Sequence, residues 1–366
     1  MKLVDVLTQA AELGVSDVHI TVNTPPVYRL HGVLYPLDHP DFKGRLNLLG
    51  GFEIKPLTPQ QTDEMAREIM SREQYEKFNI QGELDFSFSL PGSARVRVNA
   101  FRQRNSTALV MRLLNTRIPT FKELGLPEIL AHLAKKPDGL VLVTGPTGSG
   151  KSTTLAAMID LINREKRVHI LTLEDPIEYL HNHQLSLVNQ REIGTDTGSF
   201  AIALRAALRE DPDVILVGEM RDLETISIAI TAAETGHLVL GTLHTSSAAE
   251  TIDRVIDVFP PEQQQQIRVL LANTLQGIVA QQLIPRSDRP GRVAAMEILV
   301  ATPAIRNLIR EGKTFQIQTQ LQTGARHGMQ TLDMSLRQLY QKKIISREEV
   351  LHRAYDPESL LKALGG

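Results

Sequence analysis

The chain lacks cysteine entirely, and aromatic residues make up only 4% of its 366 residues. The lack of cysteine excludes disulfides, iron–sulfur clusters and thiolate zinc sites. The chain also lacks a run of the roughly 18 uncharged apolar residues that can span a bilayer. Asp5, Gln9 and Glu12 interrupt its first apolar positions, unlike the continuous apolar core of a signal peptide. These absences predict a soluble, cytoplasmic protein without a transmembrane segment.

Neither sign of charge prevails, because 40 Lys and Arg residues nearly balance 42 Asp and Glu residues and give a net charge of −2. A protein that tracks a nucleic-acid strand needs a basic groove with aromatic stacking platforms. Nucleic acid is therefore not expected as a partner. The length exceeds the roughly 250–300 residues at which single cores stop growing, which predicts two domains.

Residues 1–115 have the pattern of an α+β domain. Apolar residues at helical spacing up to Gly14 predict a first helix, and capping-box patterns at Thr58 and Ser71 predict one or two helices over 59–78. Alternating apolar and polar residues predict three short strands and then an antiparallel meander. The strands are predicted over 18–21, 27–31 and 33–37, the meander over 82–114 and its turn at 91–93. The role of the segment 38–57 is left open.

The pattern changes after a predicted linker at 116–120. Short apolar runs alternate with helical stretches throughout 121–366, which is typical of a parallel sheet with crossover helices. The runs lie at 139–144, 169–173, 214–217 and 238–243. An α/β domain is therefore expected, and its last part, 302–366, is expected to be mostly helical.

A phosphate-binding loop follows the first of these apolar runs. Its sequence, GPTGSGKST, satisfies the P-loop pattern G-x-x-x-x-G-K-[ST] between a buried-type strand and an apolar helix. Backbone N–H groups of such a loop surround the β-phosphate, Lys151 reaches the β/γ oxygens and Ser152 offers its hydroxyl to Mg²⁺. ATP or GTP binding is therefore predicted. The binding residues would be Gly145, Pro146, Thr147, Gly148, Ser149, Gly150, Lys151, Ser152 and Thr153.

Acidic residues follow two other apolar runs. Hydrolysis needs an acid that orients or deprotonates water, and P-loop enzymes usually place acids at the ends of neighbouring strands. One run ends with Glu174 and Asp175, with Glu178 shortly after, and another is followed by Glu219. Gly218 stands where a metal-orienting aspartate is usual, so Glu219 alone is predicted to serve the metal and its waters. Alternatively, these acids only cap strand ends or helix N-termini.

Two histidines flank the last apolar run, His237 before it and His244 after it. His244 falls at the carboxyl end of its strand, where parallel sheets bind ligands, and could sense the γ-phosphate by hydrogen bonding. Thr242 and Thr245 lie beside it in the sequence. The alternative, left open by spacing alone, is that His244 is a structural residue with satisfied hydrogen bonds.

The N-terminal meander is rich in arginine. P-loop ATPases need arginine to neutralise charge in the transition state. The nucleotide domain offers few candidates, namely Arg205, Arg209 and Arg221. A neighbouring subunit could supply the arginine from alternating strand positions of the meander, or these residues could simply form a solvated face. The meander candidates are Arg95, Arg97, Arg102, Arg104 and Arg112.

These stretches together resemble the secretion-motor ATPase superfamily, which drives type II secretion, type IV pili and conjugation. Besides the P-loop, the acidic box of the family is matched by LEDPIEY, its atypical Walker B motif by DPDVILVGEMRD, and its histidine box by TGHLVLGTLHTSSA. Within the superfamily the chain most resembles PilT-type pilus retraction ATPases. That likeness includes SDVHITVNTPPVYRLHGVLYPL in a PAS-like N-terminal domain and, near the C-terminus, AIRNLIREGK with QTGARHGMQTLDMSL.

The resemblance implies a RecA-like P-loop ATPase domain after a PAS-like domain. It assigns ATP binding and turnover to Lys151, Ser152, Glu178, Glu219 and His244, with Glu178 favoured as the water-activating base and Glu174 in reserve. It also implies a homo-hexamer that uses ATP and Mg²⁺, with Ser152 and Glu219 serving the metal. The PAS-like domain of one subunit would close over the nucleotide of the next.

The resemblance further implies a mechanical role. Extension and secretion members carry a four-cysteine zinc insert and another N-terminal domain, and the chain is expected to have neither, so retraction is preferred over extension. The load would be an inner-membrane platform protein of the pilus machinery, with Arg306 and Arg310 on an exposed coupling helix. Alternatively, Ile305, Leu308 and Ile309 simply pack that helix on the core. A nucleic-acid translocase and a non-motor nucleotide binder are the remaining alternatives.

Overall fold

The computed structural model describes residues 2–30, 32–40, 54–90, 94–114, 117–358 and 360. The chain forms two compact units, Met1–Arg117 with Glu178–Leu180, and Ile118–Ile177 with His181–Gly366. Most of the segment 38–57 and the predicted turn at 91–93 lie outside the described residues.

The first unit packs three helices on one six-stranded antiparallel sheet. Its elements are α1 (Leu3–Glu12), β1 (Asp17–Ile20), β2 (Val27–Leu30), β3 (Val33–Pro36), α2 (Pro59–Ile69), α3 (Arg72–Gln81), β4 (Glu83–Leu90), β5 (Ala94–Gln103) and β6 (Ser106–Leu114). The strand order is β3-β2-β1-β6-β5-β4. Thr58 and Ser71 both form capping boxes, so the predicted helical stretch divides into α2 and α3. The predicted antiparallel meander is β4-β5-β6.

The second unit is built on a seven-stranded sheet with the order β13-β12-β7-β11-β10-β8-β9. Its strands are β7 (Gly139–Thr144), β8 (His169–Glu174), β9 (Leu187–Glu192), β10 (Val214–Val217), β11 (Leu238–Leu243), β12 (Leu275–Pro285) and β13 (Arg292–Val300). All neighbours are parallel except β12 and β13. The four predicted apolar runs are β7, β8, β10 and β11. The sequence pattern missed β9, β12 and β13, because their polar residues interrupt the apolar run.

Helices cover both faces of this sheet. The helices are α4 (Phe121–Leu124), α5 (Glu128–Ala134), α6 (Lys151–Glu165), α7 (Phe200–Ala207), α8 (Leu223–Glu234), α9 (Ala248–Asp257), α10 (Pro261–Thr274), α11 (Pro303–Arg310), α12 (Ile317–Thr323), α13 (Leu332–Gln341) and α14 (Arg347–Arg353). Successive residues of β7 point to opposite faces, with Leu142 in one apolar core and Val143 in the other. None of the helices within the described ranges is long and apolar enough to cross a bilayer.

The proposed coupling helix is α11, and its arginines are not freely exposed as the sequence suggested. Ile305 and Ile309 are fully buried in the core. Arg306 donates hydrogen bonds to the backbone oxygens of Ala301, 3.0 Å away, and Asn273, 2.6 Å away, and Arg310 donates to the Asn273 side chain at 2.9 Å. Both arginines therefore bind the C-terminal end of α10, where unpaired carbonyl oxygens favour cations.

Candidate functional site

The carboxyl ends of four parallel strands bring the predicted motifs together in the second unit. In the sheet register Thr144 of β7 pairs with Leu243 of β11, and Val217 of β10 pairs with both Gly241 and Leu173. The residues that follow these strands therefore meet at one edge of the sheet. They are the P-loop after β7, Glu174 at the end of β8, Glu219 after β10 and His244 after β11.

The P-loop owes its shape to glycine. Gly145 has φ +142°, and a Cβ there would lie 2.3 Å from the Gln281 backbone oxygen and 2.6 Å from the Ser149 hydroxyl. Gly150 is the N-cap of α6 in the left-handed region, at φ +90°. No residue with a side chain fits the first position, and few adopt the second. The loop thus closes tightly against β12 before α6 begins.

Lys151 and Ser149 present polar atoms to the interior of this loop. The Lys151 ammonium donates to the backbone oxygens of Gly145 at 2.8 Å and Pro146 at 3.2 Å. Ser149 is 3% exposed, and its hydroxyl has no hydrogen-bond partner among the described residues. A buried hydroxyl beside a lysine at a helix N-terminus suits a phosphate oxygen. These residues therefore fit a nucleotide phosphate.

Glu219 forms a carboxylate-centred cluster with His244 and Arg221. The Glu219 Oε1 atom lies 2.6 Å from His244 Nε2 and also accepts a hydrogen bond from Arg221. Because an ionised carboxylate can only accept, Nε2 of His244 must carry a proton. The structure thus unites the predicted metal-serving acid with the predicted γ-phosphate sensor, two residues 25 positions apart in the sequence.

Gly218 has a steric reason for replacing the usual aspartate. A Cβ at this position would lie 3.0 Å from the Leu173 backbone oxygen and 3.2 Å from Glu174 Cα. The Gly218 backbone oxygen also accepts a hydrogen bond of 2.6 Å from Thr242. A side chain at position 218 would therefore make an unusually close contact with the end of β8, and the acid lies at the next residue, Glu219.

The acidic box is split by the structure. The Glu174 carboxylate accepts hydrogen bonds from Thr172, at 2.6 Å, and from the Gln190 amide, at 3.2 Å. Asp175 is exposed and precedes Pro176 through a cis peptide bond. Glu178 is exposed and groups with the first unit rather than with the P-loop. Only Glu174 is thus fixed within the sheet that carries the P-loop.

Buried hydroxyls anchor the loop that carries His244. Thr251 of α9 lies 2.7 Å from the Thr245 hydroxyl and donates to the Ser247 backbone oxygen at 2.6 Å. Since Thr251 has one proton and the carbonyl can only accept, Thr245 must donate to Thr251. In contrast, His237 lies at the other end of β11, where its ring and backbone contact Ala232 at the end of α8.

His181, which follows the acidic box in the sequence, is expected to make the stability of the fold sensitive to acid. The Nδ1 atom of His181 is buried without a described hydrogen-bond partner, and burial lowers the pKa of this residue from 6.5 to about 4, partly opposed by Asp160. As the pH falls, the unfolded chain therefore binds a proton at His181 at a higher pH than the folded chain does. Stability should be fully present above pH 6.5 and decline as pH falls toward 4.

His181→Gln is predicted to flatten this pH dependence. The wild type should lose up to about 3 kcal/mol of unfolding free energy between pH 6.5 and 4 that the variant keeps, because glutamine takes up no proton. Denaturant titrations at several pH values measure the difference. Replacement of the exposed His132 by glutamine is the control, and parallel pH curves for the wild type and His181→Gln would refute the prediction.

The five meander arginines do not share one face, contrary to the sequence expectation of alternating positions. Arg95 and Arg97 point away from the buried Val96 and Val98. Arg97 pairs across the sheet with Arg112, which binds Asp17 at 2.8 Å. Burial alone would raise the pKa of Asp17, but hydrogen bonds from Arg112 and Ser16 lower it.

The other two meander arginines serve the first unit itself. Arg102 has the phase of the buried residues and reaches Asn79 at 2.6 Å, Thr107 at 2.9 Å and Asp63 at 3.6 Å. Arg104 has φ +46° in the two-residue turn between β5 and β6. Arg102 lies five residues from Arg97 in the same strand, and this odd spacing puts it on the opposite face of the sheet. Three arginines of the second unit were the other candidates. Arg205 pairs with Glu224, Arg221 pairs with Glu219 and Arg209 is exposed.

Sequence reasoning missed the contribution of the β12–β13 hairpin. A cavity of about 600 Å³ adjoins the P-loop through Gly150, Thr153 and Thr154, and its opposite wall is formed by the hairpin. Hairpin residues in the wall include Gln281, Leu283, Arg286, Arg289, Arg292 and Val293. The mixed polar and apolar sequence of β12 did not indicate a site. The one available signal was Gln281, a polar residue that follows the apolar run Ile278–Ala280.

The family model for type II/IV secretion system proteins matches residues 69–352. The chain belongs to this family. Its curated relatives in the family include the type IV pilus retraction ATPase PilT of Pseudomonas aeruginosa, 51% identical over 98% of this chain and all of that protein. A twitching motility protein of Neisseria gonorrhoeae is 48% identical over 92% of this chain and 86% of that protein.

A solved structure supports the same family membership. The crystal structure of the pilus retraction motor PilT with bound ADP has a TM-score of 0.89 and 48% sequence identity, over 99% of each chain. The predicted fold, an N-terminal α+β domain followed by a RecA-like ATPase domain, is confirmed. The predicted PilT-type family and the prediction of an ATP hydrolase are confirmed as well.

Proposed function

We propose that the protein is a hexameric motor that hydrolyses ATP to power retraction of a type IV pilus, and hence twitching motility. The observation that carries this proposal is the convergence of the P-loop, Glu219 and His244 at one sheet edge. The PilT relative supports it through 51% identity over nearly the whole chain. The motor would act at the cytoplasmic side of the inner membrane on the platform protein of the pilus machinery.

Each residue at the sheet edge has a distinct task in this proposal. Lys151 and the P-loop N–H groups hold the phosphates, which fixes the geometry of transfer. Glu219 orients the attacking water. The Nε2–H group of His244 donates a hydrogen bond either to the γ-phosphate or to the Glu219 carboxylate. The favoured base remains Glu178. Glu174, whose carboxylate accepts hydrogen bonds from Thr172 and Gln190, is the reserve candidate. Hydrolysis would then drive movements between the two units.

Mg²⁺ fits the proposed site. Mg²⁺ is usually bound by one or two protein oxygens together with phosphate oxygens and water. Ser152 in the first turn of α6 and Glu219 would hold it, and both contacts described for Glu219 use the same oxygen, Oε1. When bound, the ion would neutralise charge that develops on the phosphates.

The cavity beside the P-loop suits the base and ribose of the nucleotide. It adjoins the P-loop at Gly150 and has apolar walls at Leu124, Leu126, Leu283 and Val293. Most nucleotide and cofactor pockets are apolar, with a few polar groups that fix orientation. The proposal therefore places the purine here and the phosphates in the P-loop.

Arg97 is proposed to act on the nucleotide of a neighbouring subunit, whereas Arg102 is structural. Arg97→Ala should lower kcat by about a hundredfold or more, since such arginines stabilise transition-state charge. The free energy of unfolding should hardly change in this variant. Arg102→Ala should instead cost about 1 kcal/mol of stability, because the hydrogen bonds to Thr107 and Asn79 and the ion pair with Asp63 are lost, while Asp63 keeps Arg67 and Tyr75 as partners. Steady-state phosphate release and denaturant unfolding of both variants measure these effects.

Mixed hexamers give the decisive control for Arg97. Inactive Arg97→Ala and Glu219→Gln subunits should regain activity when co-assembled, because some seams would then combine an intact arginine with an intact Glu219. Mixtures that stay as inactive as their parents would contradict an arginine acting between subunits.

Deletion of the gene tests the direction of work. Loss of a retraction motor should leave excess surface pili and abolish twitching, and a plasmid-borne wild-type copy should reverse both effects. A deletion strain without pili would indicate an extension motor, and unchanged pili with impaired protein export would indicate a secretion ATPase. Salt-sensitive DNA binding by the purified protein would favour a nucleic-acid translocase.

A further inference from the structure

Gln281 touches both ends of the P-loop. At the first end, its backbone oxygen lies against Gly145, so closely that a Cβ on Gly145 would be 2.3 Å away. At the other end, its side-chain Nε2 donates to the Ser149 backbone oxygen at 2.7 Å. Its Oε1 accepts from the Thr154 hydroxyl of α6 at 3.0 Å. One residue of β12 therefore spans the loop and the first turn of the helix after it.

The orientation of this amide follows from its partners. A backbone oxygen can only accept, so the NH₂ group must face Ser149, and the amide oxygen must then take the hydroxyl proton of Thr154. Gln281 is 2% exposed and Thr154 is 3% exposed. In such a buried place, loss of the amide would leave the Ser149 carbonyl and the Thr154 hydroxyl unsatisfied.

We infer that Gln281 is a positioning residue for the P-loop, which holds Ser149, Gly150 and the start of α6 in the geometry that binds the nucleotide phosphates. The hydrogen bonds described for Lys151 reach the start of the loop, at Gly145 and Pro146, and the Gly148–Gly150 turn has a backbone hydrogen bond from Ser149 to Pro146. The glycines of this turn, at φ +79° and +90°, have wide conformational freedom. The side chain of Gln281 supplies the restraint from outside the motif. Its effect is therefore on phosphate binding rather than on the hydrolytic groups at Glu219.

Gln281→Met is the principal test, since methionine keeps the length and bulk of the side chain but neither hydrogen bond. ADP affinity should fall about tenfold, in the range expected for loss of one or two buried hydrogen bonds, and KM for ATP should rise in parallel while kcat changes by less than about twofold. Binding of a fluorescent ADP analogue and steady-state phosphate release measure the two effects. The matched control is Gln282→Met, because Gln282 points to the opposite face of β12 and should leave both values unchanged.

The test separates positioning from stability. Under the proposal, the ligand-free Gln281→Met protein unfolds at a somewhat lower denaturant concentration than Gln282→Met, because two buried groups lose their partner, but it is folded under the assay conditions and keeps its kcat. Gln281→Glu, which places a carboxylate against the Ser149 carbonyl, binds ADP more weakly still. Unchanged ADP affinity in Gln281→Met, or equal losses of affinity, kcat and stability, would overturn the inference. If Gln281→Met does not fold, Thr154→Val replaces it, with a loss of ADP affinity about half as large on a logarithmic scale expected and no loss contradictory. A wild type that fails to bind ADP would instead count against the proposed function.

Discussion

Glu219→Gln is expected to lower ATP turnover by at least about a hundredfold, in the range that electrostatic and positioning groups contribute, while ADP affinity stays within about twofold of the wild type. Glutamine keeps the size of the side chain and its Oε1 atom, so it can still accept from Arg221 and His244. What it loses is the negative charge that orients water and serves the metal. The phosphates are held by the P-loop on a different strand, so binding should survive.

Steady-state phosphate release and binding of a fluorescent ADP analogue measure these two quantities for Glu219→Gln. Glu234→Gln is the control, because Glu234 is exposed at the far end of α8 and has no part in the proposed site. A Glu219→Gln protein that turns over ATP at the wild-type rate would remove Glu219 from the mechanism. Loss of ADP binding in that variant would instead mean that Glu219 supports the loop, not the chemistry.

The central sheet was predictable because its strands are buried on both faces. In β7, β10 and β11 every residue is buried, so the sequence has an uninterrupted apolar run, and the motif residues follow directly. The P-loop was predictable for a different reason, since its motif is contiguous in the sequence and lies between an apolar strand and a helix. Position along the strand therefore placed Glu219 and His244 at the same edge.

Long-range partners were not predictable, because sequence spacing carries no information about them. Gln281 is 132 residues from Ser149 in the chain, and β12 joins the sheet beside β7 with only a mixed pattern of polar and apolar residues. The odd spacing between Arg97 and Arg102 already indicates opposite faces of one strand, but the partners of Arg102, Asn79 and Asp63, could not be inferred from it. For Arg306, the carbonyl oxygens that it binds belong to a helix that ends about 30 residues earlier.

The nature of Glu178 is a different case. Its motif, LEDPIEY, marks it as functional by resemblance, but the second unit fixes only Glu174, through Thr172 and Gln190. Glu178 is exposed and groups with the other unit, so its role as the base rests on the motif alone.

Gly218→Asp is expected to destroy activity, although it restores the acid that a usual Walker B motif carries at this place. A Cβ here meets the Leu173 backbone oxygen at 3.0 Å and Glu174 Cα at 3.2 Å, and neither can rotate away, because both belong to the backbone of a central strand. Strand β10 must therefore move, and Glu219 with it. We expect a loss of about 2–3 kcal/mol in unfolding free energy from the overpacking and from the charge placed at this half-buried position.

Gly218→Ala separates the steric effect from the charge, since it adds the Cβ alone. It should cost about 1–3 kcal/mol in unfolding free energy and lower kcat by about tenfold or more through displacement of Glu219. Gly198→Ala is the matched control, because a Cβ there would meet only the Ile202 Cδ1 atom at 3.7 Å, an ordinary contact. Denaturant unfolding and phosphate release of the three variants measure both effects. If Gly218→Asp hydrolyses ATP as fast as the wild type, close packing of β10 on β8 is not the reason for the glycine, and the division of labour between Gly218 and Glu219 must have a different cause.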